Sequence, residues 1–129
     1  MRSATRKKLG KDPAYLAWLH TLPCCVCESM RQTLAEAGFP ESSIPQQSSP
    51  TEAAHCGPRG MSQKCPDREA LPICREHHRE GQFCQHAMGR FFFQHFDLDR
   101  DALLAMFQAR YDAERLGVLN PMDVIGVSA

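Results

Sequence analysis

No stretch of this chain stays apolar for long. Nothing approaches the roughly 20 apolar residues that a helix needs to cross a bilayer. No apolar run of about seven follows the basic start, as a secretory leader would require. The sequence therefore predicts a cytoplasmic protein with no membrane partner. Net charge is also missing: 15 Lys and Arg balance 15 Asp and Glu, so the chain as a whole carries no polyelectrolyte signal for nucleic acid. There is no internal repeat, and no βαβ pattern around the Cys-rich stretch, which excludes a thioredoxin-like redox protein. No helix rich in Arg and Asn is present to read base edges, so any specificity for DNA is expected to be weak or shape-based.

A large core is lacking too. Hydrophobic residues make up 43% of the 129, but seven Cys and six Met supply much of that share. Apolar clusters are confined to residues 15–19, 70–73, 91–93 and 103–111. A core this thin sits near the limit for unaided folding, and a metal staple would relieve it. Seven cysteines in a reducing compartment point to metal before disulfides, and their odd number points the same way.

Charge is present locally. Arg2, Arg6, Lys7, Lys8 and Lys11 form a basic arm over residues 1–11 with no acid among them, flexible and suited to phosphate contact. Asp12-Pro13 opens a helix, with Asp as N-cap and Pro at the first position, running to about His20. Leu22-Pro23 stops it, and Cys24 to Cys27 is read as a tight turn. Within 28–51 a short helix over 30–37 is conceivable before Gly38-Phe39-Pro40. The Ser-, Gln- and Pro-rich remainder makes 28–51 a loop insertion. Short strands are predicted at 53–56 and 70–74, followed by helices over 75–79, 86–95 and from Asp99 to Leu116-Gly117. In the last of these Leu103, Phe107 and Tyr111 recur at helical spacing. Residues 118–129 read as an irregular tail.

Cys24-x-x-Cys27 and Cys74-x-x-His77 are two ligand pairs of the spacing that grips one tetrahedral ion. Such a zinc would tie the N-terminal third to the centre and fold a weak core around metal. Cys25, inside the knuckle, is expected to pack. A second zinc from Cys56, Cys65, Cys84 and His86 has poor spacing.

His77-His78 is the informative pair. Adjacent helical residues diverge by about 100°, so His78 looks away from a zinc that His77 faces. His86 lies eight residues on and can fold back to meet it, and His55 lies on the first strand of a hairpin. Phosphodiester hydrolysis needs a base to activate water and a cation to stabilise the leaving oxygen. His55 is assigned as general base, with His78 and His86 as ligands of a catalytic Mg²⁺, Mn²⁺ or similar ion. His20 and His95 are read as structural.

Ala54-His55, Lys64, Asp67, Leu71-Pro72-Ile73-Cys74 and His77-His78 together resemble the HNH endonucleases of phages and prophages. The stretch from His86 through Gly89-Arg90 to Phe92, and Tyr15-Leu16-Ala17-Trp18 ahead of Leu22-Pro23-Cys24, extend the likeness toward Ref-type recombination nucleases. The resemblance implies a small α+β fold with a zinc-stabilised treble-clef or ββα-metal core and flanking helices, residues 12–117 forming one domain. It implies a DNA endonuclease, nicking or cutting both strands, in which Asp67 orients the base or supports the metal. Lys64, Arg68, Arg79 and Arg90 cluster near these residues as candidate phosphate contacts. The residue before the base is often a ligand in that family, and here it is Ala54, so His55 could itself bind metal. The alternative reading is a zinc-binding module that holds nucleic acid or protein and cuts nothing.

Overall fold

The computed structural model describes residues 10–56 and 65–117. Most of the basic arm, Lys64 and the C-terminal tail lie outside the described residues. Helix α1, Pro13–His20, starts as its sequence dictates: the Asp12 carboxylate accepts the Tyr15 N–H at 3.2 Å, and Tyr15 and Leu19 face inward.

Residues 24–27 are not a free-standing turn, and 28–51 is not a plain loop. Cys24 is the N-cap of a 12-residue helix, α2, Cys25–Glu36, its sulfur accepting the Cys27 N–H. Only Cys25 and Val26 are buried on it. The short helix expected over 30–37 is its C-terminal part; Met30 and Leu34 continue the row of Val26 but lie exposed or half-buried, and the helix begins earlier, at the Cys-x-x-Cys read as a turn. It ends where Gly38 takes φ +94° and Pro40 follows. The Ser- and Gln-rich residues after it are docked: Ile44 is buried, and the Gln47 side chain accepts the Cys24 N–H at 2.8 Å and donates to Ser49 O and Thr51 Oγ1.

Strands β1, Thr51–His55, and β2, Ala70–Cys74, pair antiparallel, from Thr51 opposite Cys74 to His55 opposite Ala70. All of β2 is buried, as its unbroken apolar run requires. The chain leaves β2 directly into a π-helical turn, Glu76–Glu80, closed by the Gly81 N–H on Glu76 O at 2.7 Å. The single helix expected over 86–95 is broken in the structure into α3, Gln85–Met88, a 3₁₀ turn, Gly89–Phe91, and α4, Phe92–His95. Gly89 at φ +58° makes the break. Helix α5, Arg100–Arg115, is capped by Asp99 and buries Leu104, Phe107 and Tyr111. Leu103, predicted on that face, packs only at its margin.

The core joins α1, the hairpin, α4 and α5. Tyr15, Trp18, Phe107 and Tyr111 meet edge-on or tilted with centroids 5.1 to 6.3 Å apart, geometry favoured by the ring quadrupole. Arg68 locks this cluster. Its guanidinium pairs with Asp12 at 2.8 Å and Asp112 at 2.9 Å, and its carbon lies 5.1 Å from both tyrosine ring centres. The fold is a small α+β arrangement of helices around a two-stranded sheet. Among the described residues no helix is long and apolar enough to cross a membrane.

Candidate metal centre and the histidines around it

The two ligand pairs come together as their spacing predicts. Cys24 and Cys27 sit on the cap and first turn of α2; Cys74 ends β2, and His77 lies on the π-turn. Their four ligand atoms all lie within 4.8 Å of one another. Cys27 Sγ is 3.8 Å from Cys74 Sγ, and His77 Nδ1 stands 3.3, 3.5 and 3.9 Å from the sulfurs of Cys74, Cys27 and Cys24. With zinc–thiolate bonds of about 2.3 Å and zinc–imidazole bonds of about 2.0 to 2.1 Å, tetrahedral edges come to about 3.8 Å for S···S and about 3.6 Å for S···N. The donor set and its edges fit one tetrahedral ion such as zinc.

The thiols carry the electrostatic signature of such a cluster. Hydrogen bonding from Cys27 holds the Cys24 thiol well below the usual thiol range despite its burial. That same hydrogen bond, with burial, pushes Cys27 well above the usual thiol range, and burial raises Cys74. One thiolate is tolerated, and its negative charge discourages the others from ionising. A divalent cation would displace the remaining protons. Cys25 is not part of this group and is buried, its thiol pushed up by desolvation. Among the described residues no other three His, Cys, Asp or Glu side chains gather this tightly. The second set of Cys56, Cys65, Cys84 and His86 therefore does not assemble.

His78 turns the other way, as consecutive helical residues must. Its Nδ1 lies 2.8 Å from Glu52 Oε1 on β1, and its ring stands edge-on to His86 with centroids 4.7 Å apart. Burial lowers the His78 pKa below the ordinary imidazole value, so the neutral ring is favoured. Ion pairing with Arg79 first, and the bond to His78, hold Glu52 down at about 2 against its own desolvation. Sequence reasoning missed Glu52. Its signal was available: it lies on the strand face of Ala54, one pleat period earlier.

His55 ends β1 with its side chain 42% exposed, and its Nε2 lies 3.0 Å from Asp67 Oδ1. Asp67 is buried, in the 3₁₀ turn Asp67–Glu69 just ahead of β2, and its second oxygen accepts the Asp12 N–H at 2.8 Å. Burial raises the Asp67 carboxyl, but the Asp12 amide and His55 outweigh it and leave it below the usual range. A carboxylate fixed at both oxygens holds the imidazole by Nε2 and leaves Nδ1 as the nitrogen to take up a proton. The Gln85 amide donates to His55 O at 3.2 Å and to Cys56 Sγ at 3.3 Å. It thus ties the end of β1 to the start of α3, the helix that carries His86.

The expected phosphate contacts divide. Arg68 is committed to Asp12 and Asp112 inside the fold and is a strut rather than a free cation. Arg79 forms a forked pair with Glu52. Arg90 is exposed and packs over Phe91. Lys64 lies outside the described residues. His20 Nδ1 donates to Thr51 O at 3.0 Å, and His95 stacks on Phe83; neither belongs to the metal cluster. Set against protein-family models, curated proteins and solved structures, the chain matches none of them.

Proposed function

We propose that this chain is a metal-dependent HNH-type endonuclease with a treble-clef zinc staple, hydrolysing DNA phosphodiester bonds. The observation that carries the reading is the split of adjacent histidines: His77 faces the three thiols while His78 faces His86, beside a hairpin that ends in a carboxylate-bound histidine. Zinc at the four-ligand cluster is structural, since a closed donor set leaves no position for substrate. His78 and His86 are the candidate ligands of a second divalent ion, and two imidazoles leave most of its coordination positions open. Bound there, that ion would stabilise the leaving 3′ oxygen and the charge gathered on phosphate.

The chain's own residues do the rest. His55 accepts the proton of the attacking water at Nδ1 while Asp67 holds Nε2 and stabilises the imidazolium that forms. Asp12 fixes the far oxygen of Asp67 and thereby the orientation of the pair. Gln85 couples the backbone of His55 to the helix of His86, so base and metal ligand share one rigid support. Phosphate contact falls to exposed Arg90, to Lys64 and to the basic arm, because Arg68 and Arg79 are paired internally.

A second reading is favoured by one observation: Ala54, beside the proposed base, is fully buried and offers no ligand. On that reading the chain is a zinc module that binds nucleic acid or protein without cutting. Incubating supercoiled plasmid with zinc-loaded protein and EDTA, Mg²⁺ or Mn²⁺ separates the two. Cleavage that EDTA abolishes and the added ion restores, at unchanged zinc content, supports the nuclease. Absence of cleavage with every ion from folded, zinc-loaded protein transfers the case to the module.

A further inference from the structure

We infer that Glu52 is the positioning residue for His78: its carboxylate takes the Nδ1–H of His78 and so presents Nε2, beside His86, as a ligand for a divalent cation. The inference rests on the reading that His78 and His86 form the second metal site. The sequence has no ligand at Ala54, and the carboxylate nearest in the pleat is Glu52, on the same face of β1 and opposite Ile73 on β2.

Two sets of bonds define the role. Glu52 Oε1 lies 2.8 Å from His78 Nδ1, while the Arg79 guanidinium grips the same carboxylate, with Nη2 2.9 Å from Oε2 and Nε 3.0 and 3.3 Å from the two oxygens. A forked guanidinium fixes the plane of a carboxylate. It also resists rotation of Glu52 toward the His78–His86 face, so the carboxylate acts through the imidazole instead of ligating directly. An ionised carboxylate only accepts hydrogen bonds. The partner nitrogen must therefore carry the proton, which leaves the Nε2 lone pair free. Metal-bound histidines are commonly oriented by such a carboxylate, which also raises the donor strength of the ring.

The geometry explains why adjacent histidines can serve two ions. Nδ1 of His77 points at the thiols, whereas Nδ1 of His78 is taken by Glu52 and the ring faces His86 edge-on. His78 is held with its side chain 16% exposed, so its tautomer is set by the protein rather than by solvent. Arg79 also acquires a role here, as the clamp on Glu52.

The test uses the full-length, zinc-loaded protein, with long-range ¹H–¹⁵N spectra to read the His78 tautomer and electron paramagnetic resonance to follow Mn²⁺ binding. Wild type should show His78 protonated at Nδ1 and should bind Mn²⁺ through a site that His78→Ala removes. Glu52→Ala should weaken Mn²⁺ binding by about 10- to 100-fold, the usual cost of losing such a partner, while Glu52→Gln, which can still accept the bond, should retain most of it. Zinc content must be unchanged in both variants, and Glu52→Gln, being nearly isosteric, keeps the comparison if Glu52→Ala fails to fold. A wild-type His78 protonated at Nε2 overturns the inference. So does Mn²⁺ affinity that is unchanged in Glu52→Ala while lost in His78→Ala, or that Glu52→Gln does not restore. If wild type binds no Mn²⁺ beyond the zinc cluster, the reading of His78 and His86 as a metal site falls, and the inference falls with it.

Discussion

The histidines of the site differ in what meets one ring nitrogen. Asp67 holds His55 Nε2, Glu52 holds His78 Nδ1, and His77 Nδ1 faces three sulfurs. For His55 this has a kinetic consequence. On the proposed mechanism, His55→Ala removes the general base and should lower the cleavage rate by about 10² to 10⁴-fold, the range for a positioned general base. Asp67→Asn keeps the shape but cannot stabilise an imidazolium as an anion does. It should lower kcat while leaving zinc content and Mn²⁺ affinity unchanged. Single-turnover cleavage measured beside metal analysis checks both, and an Asp67→Asn protein that loses zinc instead would mark Asp67 as merely structural. At this scale the sequence was informative where chemistry is local. The Cys-x-x-Cys and Cys-x-x-His spacings name their ligands because two residues of separation restrict where side chains can point. The place of Glu52 on the strand face of Ala54 was legible, but its pairing with His78, 26 positions on, was not, nor was the engagement of Arg68 by partners 44 and 56 positions away.

Elements position these residues through two devices, one of backbone and one of side chains. The π-turn Glu76–Glu80 closes on Gly81, where an added Cβ would sit 2.9 Å from Glu76 O and 3.1 Å from Glu76 Cγ. Gly81→Ala must therefore shift the turn that carries both His77 and His78. It is expected to cost about 1 to 3 kcal/mol, as overpacking does, and to weaken zinc binding; chemical denaturation with a zinc-release assay measures both. The second device joins α1, the Asp67 turn and α5 through Arg68. The Arg68 hydrogen bond holds the Asp112 carboxyl below its usual range. A depressed carboxylate stabilises the fold fully above the unfolded value of about 3.9 and loses that contribution as pH falls toward the folded value. Asp112 is largely solvated, which screens the effect. Acid unfolding of Asp112→Asn, followed by circular dichroism, should lack that part of the pH dependence, and Arg68→Met should unfold at higher pH than wild type. Strands and capped helices were legible here: Asp12-Pro13, Asp99 and the apolar run of β2 declare themselves. Helix α2 was legible only in its later part, over 30–37, because the Cys-x-x-Cys at its start reads as a turn, and the break at Gly89 was not, because one glycine within a helical pattern is ordinarily tolerated.

Over the whole molecule the Cys24, Cys27, Cys74 and His77 cluster, with zinc bound, would tie together elements that share only the small core around Val26. It links α2 to the end of β2 and to the π-turn, across about fifty residues of chain. Structural zinc in small folds supplies roughly 10 to 16 kcal/mol of apparent binding energy at neutral pH, comparable to or above the whole stability of a domain this size. Chelation should therefore unfold the chain rather than merely inactivate it. Cys74→Ser should reproduce that loss, seen as collapsed thermal cooperativity, whereas Cys25→Ser should keep its zinc. The nuclease reading adds a second ion with a different role. The most direct trial is plasmid nicking in Mn²⁺ by wild type and His55→Ala, each with its zinc content measured on the same sample. The account predicts nicking by wild type and its loss in His55→Ala, with one zinc per chain in both. Equal nicking by the two proteins, or none by folded, zinc-loaded wild type, would contradict it.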